Sequence, residues 1–512
     1  MIAHQTRWYL AAFATWFGLC VVPPASADDW LQFDGNAQHS GNNSMETLLD
    51  RSNVAALTLK YQMTLPAIAD GAPVLLQAVS TPSGVKDLLF VTTIAGHILA
   101  IDSQTGSTAW IRQFGPGSCK VNGGSNACFT TSSPAVDPNR FYVYTYGLDG
   151  YVHKLKVGDG TEVVTGGWPE LATTKGFDEK AASALAIATS NGETYLYVAH
   201  GGYPGDNGDY QGHLTAINLG TGVQNVFNAL CSDQAFHFLH ANASPDCPAV
   251  RSAIWARPGV IYDAGTNRIY MATGNGDFDD ARNHWGDSVL ALNPDGTGSG
   301  GRPLDAYTPA SQASLEAGDV DLGSTAPAPL PVPANSAVAH LAFQAGKDGK
   351  LRLLNLANLS GQNGPGHTGG EVGTVIDVPQ GGVVLTQPAV WTNPIDGSTW
   401  IFVVNGIGAS GLRLELDAGG HPSLVVRWQN RVGGSSPLLA NNVLYFASSG
   451  TLRAVDPVNG TTLWSSSPIG SIHWQSPVVV NGTVYVADGS SHLSAFAVPG
   501  VAPPPLGAST EL

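Results

Sequence analysis

The sequence predicts an all-β fold: an eight-bladed β-propeller whose ring is closed by strands from both termini, with seven blades as the alternative count. Three observations predict it. The first is composition. Of 512 residues, 43% are hydrophobic but only 12% are charged, with 62 Gly and 33 Pro. Helical chains of this size carry more Lys, Glu and Arg, so this balance favours short strands and many turns. The second is a recurring cadence, cleanest in Ala100-Ile-Asp102-Ser-Gln-Thr105-Gly106-Ser-Thr-Ala-Trp110 and again in Ala454-Val-Asp456-Pro-Val-Asn459-Gly460-Thr-Thr-Leu-Trp464. A repeated unit of this length is the signature of a ring or solenoid. The third is a mismatch at the two ends. The last unit lacks an outer strand, and Leu57-Thr-Leu-Lys-Tyr-Gln-Met-Thr-Leu65 reads as an outer strand with nothing before it. Pairing them would close the ring and remove its exposed edges.

The units follow in order. The first runs from Gly71 to Trp110 and the second from Ser133 to Trp168. The third spans Ser183 to Phe227 and carries a Gly/Asp-rich insertion at Gly201–Gly212. The fourth runs from Arg257 to about Arg302, with a second insertion at Gly274–Gly286, and the fifth from Ser324 to about Leu359. The sixth covers Gln387 to Trp428, the seventh Ser436 to Trp464 and the eighth Ser476 to Val498. The fourth and fifth are the irregular ones, which keeps the seven-bladed count open. Strand segments such as Phe141-Tyr-Val-Tyr144 and Tyr195-Leu-Tyr-Val198 are β-branched or aromatic throughout, as expected where both faces are buried between neighbouring sheets. The repeated Trp110, Trp428 and Trp464 are expected to stack against the next blade.

Residues 1–27 read as a cleaved secretory signal, with Arg7 in the positive region, an apolar core and Ala25-Ser-Ala27 at the cleavage site. The propeller then occupies 28–498, and the Pro-rich tail 499–512 is expected to be disordered. Export places the mature chain in the periplasm or outside the cell. With Cys20 removed, Cys119, Cys128, Cys231 and Cys247 remain. In an oxidising compartment they read as disulfides, and the local pairs Cys119–Cys128 and Cys231–Cys247 are favoured among three connectivities. No Cys-x-x-Cys-His occurs, so no c-type haem is attached. The net charge of −16 argues against nucleic acid or an anionic membrane surface as partner, and no run beyond the signal is apolar and long enough to span a bilayer.

The Ala-x-Asp-x-x-Thr-Gly-x-x-x-Trp unit resembles the tryptophan-docking repeat of quinoprotein (PQQ-type) β-propellers. The segment Asp29-Trp-Leu-Gln-Phe-Asp-Gly-Asn-Ala-Gln-His-Ser-Gly41 is similar to the leader of the same family. That family holds PQQ-dependent alcohol dehydrogenases and also non-catalytic propellers, so the resemblance implies the fold more firmly than the chemistry. In its enzymes a PQQ lies on a Trp floor with Ca²⁺ beside it. The resemblance carries the floor to Trp255, a calcium ligand to Asn275, the general base beside the metal to Asp321, and the cation at the quinone oxygens to Lys347. The chemistry asks for these types: a hard cation on oxygen ligands, a carboxylate to take the hydroxyl proton, and a cation for the developing oxyanion.

Two features of the family are missing. There is no adjacent-cysteine pair, and the loop that should supply a metal-binding Glu reads Pro204-Gly-Asp206-Asn207-Gly-Asp209-Tyr-Gln-Gly212, leaving Asp206, Asn207 or Asp209 as substitutes. Asn and Asp beside Gly are also ordinary turn formers. Two expectations therefore stand. The first is a PQQ- and Ca²⁺-dependent dehydrogenase that oxidises an alcohol or sugar and hands electrons to an external acceptor. The second is a non-catalytic propeller that binds an envelope protein or glycan.

Overall fold

The computed structural model describes residues 29–115, 128–203, 205–234, 247–466 and 468–501. The expected signal and nearly all of the expected tail lie outside the described residues. Eight sheets, each built on four strands, follow one another along the chain. They span 74–113, 135–171, 186–228, 260–307, 328–377, 389–430 and 438–465, and an eighth is built from 478–497 together with Thr58–Thr64. The count is eight, not seven.

Closure takes the expected form. Thr58–Thr64 pairs antiparallel with His492–Ala497, from Thr58 opposite Ala497 to Thr64 opposite His492. The N-terminal segment thus supplies the outer strand of the last blade. The tryptophans act between blades, as expected. Trp110 Nε1 donates to Val157 O of blade two at 2.8 Å, and Trp428 Nε1 to Pro457 O of blade seven at 2.8 Å. Each ring covers the Gly of the next blade's turn: a Cβ on Gly160 would lie 2.5 Å from Trp110, and one on Gly460 2.6 Å from Trp428. The closing strand uses Tyr61 in the same way against Gly106 of blade one. The repeat's Gly is therefore a packing requirement as well as a turn former.

The leader runs across one end of the ring. Leu75 N donates to Trp30 O, Val136 N to Leu31 O, Ile187 N to Gln32 Oε1, Tyr262 N to Ala37 O, Val390 N to Ser40 O and Leu439 N to Gly41 O. Asn43 Nδ2 reaches Val479 O. Inner strands of seven blades are tied to one short segment.

Two outer strands fall later than the repeat pattern suggests. In blade two the outer strand is Glu170–Leu171, beyond Trp168. In blade five it is Ile376–Asp377, well past Leu359. The intervening Gly-rich stretch has no alternating pattern to mark where pairing resumes. The insertion of blade four folds on itself, with Phe278–Asp279 pairing His284–Trp285. Cys231 and Cys247 form a disulfide with Cα atoms 5.9 Å apart. Cys128 is also disulfide-bonded, and its expected partner Cys119 lies outside the described residues.

Candidate functional site

The turns that follow the second strands of blades three, four and five meet on one side of the ring. Trp255 sits in the segment leading into Val260–Asp263, with its indole between two glycines. A Cβ on Gly201 would approach the ring to 2.7 Å, and one on Gly274 would approach Cδ1 to 3.0 Å. Tyr210 lies beside it, ring centroids 6.4 Å apart and tilted by 60°. Gly274 also faces Asp321, whose Oδ1 would be 2.2 Å from an added Cβ. The Trp255 indole and the Asp321 carboxylate are therefore neighbours across a position that tolerates no side chain.

Asp321 is 1% exposed. Its Oδ1 accepts from Asn275 N at 2.9 Å, and its Oδ2 is ion-paired with Lys347 Nζ. The hairpin that carries Lys347 is pinned to the same residue, Lys347 N donating to Asp321 O at 3.0 Å. Burial works to lower the Lys347 pKa, but the hydrogen bond and charge of Asp321, with Asp319 and Asp206 behind it, leave it above the ordinary lysine value. The ammonium is therefore held charged.

Asn275 is also buried, at 1% exposure. Its Nδ2 donates to Leu315 O at 3.0 Å and to Asp287 Oδ2 at 3.4 Å. Both partners are acceptors, so the amide orientation is determined by its surroundings. Its Oδ1 is left buried with no hydrogen-bond partner. A buried, unpaired carbonyl oxygen is costly, and such groups usually mark a place where an ion or ligand completes the set. Asp206 takes a different position. Its Oδ1 accepts from Tyr210 OH. Burial raises its pKa against that hydrogen bond, and the charges of Asp321 and Asp319 push it further up.

Three side chains in this cluster carry no repeat signal. Asp287 is fully buried and accepts from Leu322 N at 3.0 Å. Burial, with the charges of Asp321 and Glu316 added, pushes its pKa up to about 8 against that bond. Ser252 is fully buried and its Oγ has no partner. Arg251 and Ser252 are consecutive non-glycine residues at φ 90° and 57°, a strained pair next to the site. Glu316 lies on the helix Gln312–Gly318, which covers Asn275.

Beyond this cluster the ring axis is filled by Arg257, which donates to Ala182 O, Thr131 O and Asp70 O and faces the Trp474 ring at 6.0 Å. Lys180 sits near it with Nζ 3.8 Å from the centre of the Phe129 ring, paired in register with Gly201 beneath Trp255. Burial brings the Lys180 pKa down to about 7; Asp70 opposes this and Arg257 adds to it. A cleft of about 600 Å³ opens between Val383, Asn405, Gly433, Ser449, His473 and Trp474. It adjoins the Lys347 hairpin through Val384 N, which donates to Gly346 O. The structure thus brings together Trp255, Asn275, Asp321 and Lys347 and places Asp206 within their electrostatic reach.

Comparison with known proteins agrees with the fold. The family profile described as outer membrane protein assembly factor BamB matches residues 370–499. No curated protein matches the chain. Quinohemoprotein alcohol dehydrogenase ADHIIG of Pseudomonas putida HK5 is 16% identical with a TM-score of 0.62, over 93% of this chain and 81% of that one. The quinohemoprotein alcohol dehydrogenase of Comamonas testosteroni is 17% identical with a TM-score of 0.60, over 93% and 81%. A europium-containing methanol dehydrogenase is 14% identical with a TM-score of 0.60, over 92% and 98%. The chain thus has the fold of an eight-bladed propeller, similar over its last three blades to the assembly-factor profile and in its whole ring to the fold of these dehydrogenases.

Proposed function

We propose that the chain is an exported dehydrogenase that oxidises an alcohol or sugar, with PQQ seated on Trp255 and Ca²⁺ beside Asn275 and Asp321. The observation that carries this reading is the convergence on Asp321: one buried carboxylate is shared by Asn275 N and Lys347 Nζ and lies against the Trp255 indole. The residues fit the two groups. The glycines at 201 and 274 let both turns approach the indole closely, and Asn275 offers an unpaired buried oxygen of the kind a hard cation takes. When bound, the quinone supplies a two-electron acceptor and the cation a Lewis acid.

The protein's own part is positional. Asp321 Oδ1 accepts from a backbone donor and Oδ2 is paired with Lys347, so a substrate hydroxyl would hand its proton to a remaining lone pair of Oδ2 beside the ammonium. Lys347 is paired with that carboxylate and stands beside the charge that develops. With no haem-binding motif in the chain, electrons leave to a separate acceptor.

The binding-module reading has its own support in the profile match over residues 370–499. The two part on one experiment. The mature chain is purified, PQQ and Ca²⁺ are added, and quinone absorbance after desalting, thermal shift and dye-linked alcohol or sugar oxidation are measured. Wild type should retain quinone and reduce dye. Asp321→Asn should retain quinone and lose turnover by about 10²–10⁴-fold, the usual contribution of a general base. Trp255→Ala should fail to retain quinone. Neither quinone retention nor dye reduction in wild type would overturn the enzyme and leave the binding module.

A further inference from the structure

The loop at 201–212 offers no Glu, and Asp206 in it is already hydrogen-bonded to Tyr210. A hard divalent cation beside Asn275 would need another anionic oxygen, because a neutral amide and one lysine-paired aspartate make a weak set. The structure holds unpartnered buried oxygens on the segments that meet at Asn275. Asn275 Oδ1, Ser252 Oγ and Glu316 Oε2 are all buried without a hydrogen-bond partner. The segments that bear them are tied to one turn. Ser252 N donates to Asn275 O at 2.6 Å, and a Cβ on Gly276 would fall 1.9 Å from Ser252 Oγ. The helix bearing Glu316 is anchored over the same turn, Leu315 O accepting from Asn275 Nδ2 and Gln312 Nε2 donating to Gly276 O at 3.0 Å. The other oxygen of Glu316 is 3.5 Å from Arg251 Nη1, next in the chain to Ser252.

We propose that Glu316, reaching in from the helix at 312–318, supplies the carboxylate that the 201–212 loop lacks, so that Glu316, Asn275 and Ser252 present oxygens to a divalent cation beside Asp321, and that Arg251 holds Glu316 while the cation is absent. This rests on the cation site of the proposed function and assigns its missing ligand. Three unpaired buried oxygens, one on the strained Arg251–Ser252 pair and two on segments bound to it or to Asn275, are groups of the kind a hard cation completes. The Arg251–Glu316 pair is half-exposed and 3.5 Å long, weak enough to be exchanged for a cation. It also makes Arg251 a competitor, since its charge repels the ion and occupies its ligand.

The test uses the full mature protein, metal-stripped, titrated with Ca²⁺ alone by calorimetry and with Tb³⁺ by tryptophan-sensitised luminescence, each with and without PQQ. Wild type should bind one cation. Glu316→Gln should weaken binding at least tenfold. Arg251→Gln should tighten it several-fold, and should do so by less when Glu316 is also replaced by Gln. Asp206→Asn should change it less than twofold. Circular dichroism and melting curves confirm that each variant is folded. If Glu316→Gln binds as wild type, or if affinity is lost in Asp206→Asn instead, the assignment of Glu316 is overturned while the proposed function stands. If wild type binds no cation under any condition, both fall together.

Discussion

Blades seven and eight and blades four and five are built from the same repeat and differ in what they bury. In blade seven the cadence from Ala454 to Trp464 is intact, and Trp464 Nε1 donates to Leu57 O at 2.9 Å across the closure. Val443, Leu444, Tyr445 and Phe446 are fully buried, and so is Leu452. In blades four and five the cadence breaks. The turn after Ala272 expands into an insertion, a short helix precedes blade five, and the polar residues Asn275, Asp287, Ser252 and Asp321 are buried, with Asn275 and Ser252 incompletely partnered. Regular blades bury chiefly apolar side chains, with an isolated unpaired group at Tyr445 OH, while the irregular ones gather several polar groups on neighbouring turns. The repeat is strongest where the molecule is structural and weakest where the candidate chemistry lies.

That contrast can be broken by substitution. The largest stability effect is expected in the regular part. Trp428→Ala removes an indole that covers Gly460 and a hydrogen bond to Pro457, and should destabilise the fold by about 3–5 kcal/mol in urea or guanidinium titration. Its cation affinity should stay at the wild-type value. A loss of cation binding in the folded variant would mean that the two regions are not independent.

Next comes the link between blades three and four. The disulfide Cys231–Cys247 closes a loop with a sequence separation of 16, which in the chain-entropy model contributes about 3 kcal/mol. Replacing both cysteines with Ser should lower the melting temperature and leave the regular blades as protected from hydrogen exchange as before. Uniform loss of protection would show instead that the ring unfolds as one unit.

The smallest effect concerns Lys180 on the axis. Its folded pKa, about 7, lies below the ordinary 10.5, so burial penalises the charged form. Below about pH 7 both folded and unfolded chains carry the proton and the penalty is fully present. As pH rises toward 10 the folded protein has already released the proton and the penalty fades. Lys180→Met should therefore raise the melting temperature at pH 6 and raise it less at pH 9. An equal gain at both would mean that Lys180 is not desolvated.

How much of the molecule is legible in its sequence follows the same division. The eight units, their inter-blade tryptophans and the closing strand can be read because strand alternation and the Thr-Gly or Asn-Gly turn repeat in the primary structure. Trp255, Asn275, Asp321 and Lys347 can be picked out by resemblance, and they meet. The outer strand Ile376–Asp377 cannot be located, because the Gly-rich stretch before it carries no period. Ser252, Asp287 and Glu316 cannot be found either. Their meaning depends on missing partners and on a helix of seven residues, Gln312–Gly318, neither of which leaves a pattern in the chain. Asp206 stands out by its loop's composition; its bond to Tyr210 depends on a side-chain geometry that composition does not encode.

The leader sets the number of blades. Between Trp30 and Asn43 it meets blades one, two, three, four, six, seven and eight in that order, so position along this short segment maps onto position around the circle. It works as a ruler. A ring with one blade fewer would bring its remaining inner strands to the wrong leader residues and strand several backbone donors without acceptors, while a ring with one more would outrun the segment. Neighbouring sheets alone tolerate several curvatures, and tandem repeats invite loss or gain of a unit. A hub written into the residues just ahead of the first blade turns a repeat array of adjustable length into a particle of fixed number. It does so independently of the final strand pair, whose members stand 439 positions apart.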